Sequence, residues 1–208
     1  MSSFSITQLE VARRDPAAFA KIISSSKEDT PSFNRYPQSM RWLNAISKYH
    51  DTNDIDSAIN YIENWFDKRK DNSVNRRALR KWILSLGKYE ETITAKGYNL
   101  VNSRESINIE MRSIRIGGVI PVIFMKPSEG FAAYFVSKPN SIWEKELKYP
   151  VIQNYLSTSV FNTDQANIDV GYIDFTTGDF YEICYNKKQI KEAKDELTNI
   201  TNIIIDNL

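Results

Sequence analysis

Apolar residues recur every three or four positions through the first half of the chain and every second position in much of the remainder, so helices should precede a sheet. Thr7-Gln8-Leu9-Glu10 has capping-box spacing, and Asp15-Pro16 sets a cap residue before an N1 proline. Together they predict short helices near 5–14 and 16–25. A polar loop with Pro31 and Pro37 follows. Three amphipathic helices come next, marked by Met40, Leu43, Ala45, Ile46 and Tyr49, by Ile55, Ala58, Ile59, Ile62, Trp65 and Phe66, and by Leu79, Trp82, Ile83 and Leu86.

After Gly97 the period falls to two. Ile107, Ile109, Met111, Ile114 and Ile116 alternate, and 119–124 continue to Pro127 and Gly130, which reads as the start of a sheet. A strand at 131–136, a helix over 141–155, a hairpin of 168–175 with 180–185 about Thr177-Gly178, and an amphipathic helix over 187–207 complete the chain. Pro150 should kink the helix that holds it. The expected organisation is α/β: N-terminal helices (1–37) joining the core, a helical insertion (38–97), and a mixed sheet with flanking helices (98–208).

Composition narrows the chemistry. Apolar residues at 41% and charged residues at 25% describe a chain that folds. The longest apolar run, 119–125, contains a proline and is about a third of the roughly 20 residues a membrane span needs, and the polar start lacks a secretory pattern. The expectation is a cytoplasmic protein without a membrane segment. One cysteine, Cys184, and one histidine, His50, leave little for thiolate–imidazole catalysis or zinc binding. Cys184 reads as a buried small hydrophobe in a strand, and His50 as a charge meeting the dipole at a helix C-terminus. Trp42, Trp65 and Trp82 fall on apolar helix positions and read as core rather than base-stacking residues. Trp143 reads as partly exposed in an interface.

The net charge of +1 exerts no global pull on polyanions, but local charge is segregated. Between 51 and 67 the acids Asp51, Asp54, Asp56, Glu63 and Asp67 face no basic residue, while Lys68, Arg69, Lys70, Arg76, Arg77, Arg80 and Lys81 face only Asp71. Such a run is a phosphate-backbone footprint, a docking face for an acidic protein partner, a solvated face, or a partner for the acidic helix before it.

The order of elements and several local patterns resemble the RecB-like branch of the PD-(D/E)XK nucleases. Ser5-Ile6-Thr7-Gln8-Leu9-Glu10 followed by Pro16 and Phe19 is similar to that family's opening helix, and Gln153 lies where a glutamine-bearing helix borders its active site, with Tyr155 nearby and Ser157 at the expected tyrosine. The resemblance implies an aspartate after Gly118-Val119-Ile120, where Pro121 stands. It also implies an acid two residues before Lys138, where Val136 stands. Neither residue can bind Mg²⁺, which the family's hydrolysis requires, so no catalytic residue, metal site or cofactor is expected, and Lys138 is left as a point charge for phosphate.

The resemblance thus implies a non-catalytic nuclease-like subunit that binds nucleic acid, or a nuclease or helicase partner, in a defence or repair assembly. Two alternatives stand beside it. One is a Mg²⁺-dependent nuclease with a rearranged site, drawing on Glu10 and Glu110 or on Glu110 and Glu129 with Lys126. The other is an assembly adaptor that uses its charged helices and the apolar stripe of the last helix.

Overall fold

The computed structural model describes residues 2–25, 38–138 and 142–208; the loop with Pro31 and Pro37, and Ser141, lie outside the described residues. The chain forms a mixed α/β fold around a six-stranded sheet. It opens with a strand that the sequence pattern did not suggest, β1 (Ser2–Ser5). Ser5 is also the cap: its side chain accepts from Thr7 N, and Gln8 Oε1 accepts from Ser5 N at 2.9 Å. The capping box therefore starts two residues earlier than the Thr7 expected, because the first turn, Ile6–Gln8, is a 3₁₀ turn. Helices α1 (Leu9–Arg14) and α2 (Pro16–Ser25) follow.

The insertion consists of α3 (Gln38–Thr52), α4 (Ile55–Asp67) and α5 (Ser73–Lys96). Asp54 caps α4, Asn72 caps α5, and Gly97 ends α5 in the left-handed conformation that glycine adopts without strain. Helix α5 extends a further ten residues beyond Leu86, the last residue of its sequence pattern. The sheet continues with β2 (Asn99–Met111), β3 (Ile114–Met125) and β4 (Phe131–Ser137). The alternation read as one strand through 107–116 is broken by a turn at Arg112-Ser113, with Arg112 at φ +53°. Helix α6 (Lys148–Tyr155) leads through a π turn (Leu156–Val160) to β5 (Ile168–Asp174), β6 (Phe180–Ile183) and α7 (Lys187–Asp206).

Strand β2 runs antiparallel along one edge of β3; on the other edge β1 pairs in parallel with the first half of β3 and β4 antiparallel with its end. The α6 crossover makes β5 parallel to β4, and β6 returns as a hairpin. One face packs α1, α2, α6 and α7 against Ile114, Ile116, Ile123, Ala133, Phe135, Val170 and Tyr172. The other packs α3, α4 and α5 against Val122, Phe124, Ala132, Tyr134 and Ile173. The insertion thus shares a core with the sheet.

Several expectations change with this packing. Pro150 lies at the third position of α6, where no intrahelical acceptor is owed, so it begins the helix without kinking it. Trp143 is buried, stacked edge-on against Tyr149 and Tyr172. Cys184 falls just past β6 and is exposed. The apolar stripe of α7, including Ile190, Leu197, Ile200 and Ile204, is buried on this chain's own sheet, which closes the adaptor route through that helix.

His50 bonds through Nε2 to the Tyr89 hydroxyl at 2.7 Å beneath the insertion. Desolvation, opposed in part by Asp51, lowers its pKa from 6.5 to about 4, so at neutral pH no charge meets the α3 dipole. The unfolded chain protonates His50 below pH 6.5, while the folded chain resists until about 4. Stability therefore falls as pH drops through that window. Thermal unfolding followed from pH 7 to 4 should show a shallower decline for His50→Phe, which keeps ring packing, than for the native chain; equal declines would exclude this histidine as the cause.

Candidate nucleic-acid interface

The residues expected at a degenerate hydrolytic site do not converge. The β2–β3 ladder pairs Ser103 with Val122 and Glu105 with Ile120, and skips Arg104 and Pro121 between them. Pro121 has no N–H to give, and Arg104 takes φ +68°, so pairing lapses on both strands here without a change of register, the register shift of this ladder lying between Leu100 and Asn102. Ile114, Ile116 and Ile120 face the first core, whereas Val122 and Phe124 face the second; β3 exchanges faces at Pro121. The β3–β4 register, continued one step past Val122↔Tyr134, places Pro121 beside Phe135. Phe135 belongs to the first core, whereas Val136 packs against the second. Lys138 is exposed just past the end of β4.

Val136 thus abuts the apolar layer between insertion and sheet, where Trp42, Trp82, Tyr89, Phe124 and Phe175 are buried. Val136 is itself only partly buried, so a carboxylate there would lose part of its hydration, and Mg²⁺, which needs oxygen ligands and retained waters, does not fit Pro121 and Val136. Among the described residues, no group of three or more His, Cys, Asp or Glu side chains could hold a metal ion. Gln153 is wholly buried and fully engaged: Nε2 donates to the Gln165 and Tyr185 carbonyls at 2.9 Å, and Oε1 accepts from Tyr185 N at 2.8 Å. It pins α6 to the chain entering α7.

The rearranged sets fare no better. Glu10 accepts from Leu147 N at 2.5 Å and pairs with Arg13 at 3.5 Å, anchoring α1 to the segment before α6. Glu110 is exposed opposite Arg115, at the start of β3. Lys126 and Glu129 follow the end of β3, roughly 35 Å away along an extended strand, and Lys126 is paired with Asp169 at 2.7 Å. A polar cluster that the sequence did not suggest lies under α5. Glu182 accepts from Lys96 Nζ at 2.5 Å, from Tyr98 at 3.3 Å and from Tyr134. Burial opposes its charge, but the Lys96 bond, followed by that from Tyr134, wins and holds its pKa below the ordinary value. Every partner there is committed to joining α5 to β4 and β6.

The basic run is different. Lys68, Arg69 and Lys70 directly follow α4, while Arg76, Arg77, Arg80 and Lys81 occupy the first turns of α5, and all seven are exposed. The acids of α4 do not neutralise them: among the described residues the single ion pair of the run is Arg76 with Asp71 at 3.0 Å, an exposed pair of small worth. Arg76–Arg80 and Arg77–Lys81 are like-charged i,i+4 pairs, each costing a helix about 0.2–0.5 kcal/mol. Helix stability does not explain this placement. Two residues join the ridge that the charge pattern does not include: Arg41 of α3, whose Cζ lies 4.7 Å from the centre of the half-buried Trp65 ring, and Trp65 itself, with Arg69 Cζ at 3.7 Å. The Trp65–Arg69 spacing of i,i+4 was the available signal.

Val136→Asp should therefore place an unpaired carboxyl against the aromatic layer and lower stability by roughly 2–4 kcal/mol without producing Mg²⁺-dependent cleavage, alone or with Pro121→Asp. Chemical denaturation with a labelled-DNA cleavage assay checks both halves; cleavage by the double variant would show that the two positions do converge.

No family model matches this chain, and no curated protein matches it. Among solved structures it is similar to a crystal structure described as "Putative exonuclease" from Eubacterium rectale, at 10% identity and a TM-score of 0.47, with 91% of this chain and 74% of that one covered.

Proposed function

We propose that this chain is a non-catalytic module that binds nucleic acid along the exposed ridge at the α4–α5 elbow. The observation that carries the reading is a cluster of seven exposed cations, four of them in like-charged i,i+4 pairs on α5, with one neutralising acid, Asp71, among the described residues. Backbone phosphates would relieve that mutual repulsion and release counterions, giving affinity that depends on salt and little on sequence. Lys138, at the end of β4, is a further point charge that could meet phosphate.

Support for the non-catalytic half is chemical. Proline and valine stand where the resemblance implies carboxylates, and Glu10 and Glu110 are occupied or remote. The same resemblance would set such a module beside a nuclease or helicase partner in a defence or repair assembly.

Fluorescence anisotropy with labelled DNA and RNA at rising salt tests the reading. Binding should weaken steeply with salt, and Arg77→Glu/Arg80→Glu/Lys81→Glu should flatten the log–log slope by roughly 2–3, at about 0.7–0.9 for each phosphate no longer neutralised. Absence of binding to every polymer at low salt would remove nucleic acid as the ligand.

A further inference from the structure

Of the four tryptophans, Trp42, Trp82 and Trp143 are buried and Trp65 is only half-buried. Its plane is set from within the core: Trp82 stacks on it with ring centres 5.4 Å apart and planes 6° from parallel, and Phe66 meets it edge-on. The same ring carries the guanidinium of Arg69 and, further off, that of Arg41. Desolvation and then the like charge of Arg41 both press the Arg69 pKa below its ordinary value. Among the described residues Arg69 has no carboxylate partner. An arginine held on an indole without a carboxylate of its own is an arrangement that an anionic ligand with a flat π face would improve.

We propose that the Trp65–Arg69 stack is a base-binding step, which makes the ridge's ligand a single-stranded nucleic acid. This rests on the preceding reading of the ridge and narrows it. An unpaired base replaces the guanidinium on the indole, and the released Arg69, with Lys68, meets the adjoining phosphates. Base and guanidinium are both planar and both favoured on an aromatic face, so the exchange conserves stacking while adding charge neutralisation. Bases in a duplex are already stacked on one another and present no free face. Stacking also tolerates any base, which agrees with a surface built of cations rather than of base-reading amides.

The experiment compares an oligothymidylate of about 20 nucleotides, long enough to span the ridge, with a duplex of equal length, followed by anisotropy and by tryptophan emission. The single strand should bind roughly tenfold more tightly, quench emission and protect it from iodide. Trp65→Leu should lose about that factor on the single strand and leave the duplex unchanged, with Trp65→Phe intermediate; thermal melts confirm that each variant is folded. Equal affinity for both polymers, or equal weakening of both by Trp65→Leu, overturns the base-binding step and leaves the backbone-binding ridge standing. Failure of both polymers to bind overturns the ridge as well.

Discussion

The aromatic layer between the insertion and the sheet is the contact on which the rest of the molecule depends. Trp42 Nε1 donates to Ser85 Oγ at 2.8 Å, and Ser85 Oγ lies 3.1 Å from the Phe175 carbonyl, so α3, α5 and the end of β5 are joined through one buried hydroxyl. Around it Tyr89 meets Trp42 edge-on and stacks on Phe180, while Phe124 meets Tyr134. Rings of this size each bury about 150–250 Å², enough to hold three helices that would be marginal alone. Their burial leaves Val136 against a packed core rather than on an open cleft.

Strand β3 serves two cores because it changes face midway. Its first half, with β1 and β2, packs the first core, and its second half presents Val122 and Phe124 to the insertion. An unbroken alternation would send Val122 and Phe124 to the first core and Ile123 to the insertion, exchanging large and small side chains between the two layers. Proline at 121 suits the exchange because it withholds a ladder donor where β2 also departs from pairing, and Arg104, across the gap, reaches Asn44 of α3. The residue that removes an acid from the expected site is therefore also the residue at the strand's turning point.

How much of this could be read from the sequence follows the range of the forces involved. Helical periods in 38–97, the switch after Gly97 and the closing helix are local patterns, and they correspond to α3–α5, β2–β6 and α7. Strand β1 escapes such a reading because Ser2–Ser5 is too short and polar to show alternation; its pairing with Ile114–Gly117 is a long-range event. The turn at Arg112 carries no glycine or proline, so its left-handed backbone leaves no mark in the residue types. Gln153 stands out in the sequence, but its partners at Gln165 and Tyr185 are fixed by tertiary packing. The basic run is plain as a charge pattern. That the acids of α4 do not neutralise it is not.

Core and ridge meet at a single pair of rings. Trp82 belongs to the buried layer, and Trp65, stacked on it, bears Arg69 and Arg41 at the surface. A tryptophan on an isolated helix would sample many orientations, and a ligand would have to order it on arrival. Here the packing of Trp82 and Phe66 has already fixed the indole plane. Ordering each rotamer-rich side chain on binding costs about 0.5–1.5 kcal/mol, and at this position folding has met that cost for the aromatic group. Arg69, exposed beyond the end of α4, is the group that would pass from ring to phosphate. Joining the insertion to the sheet and building a rigid, charged elbow are in this sense one structural event.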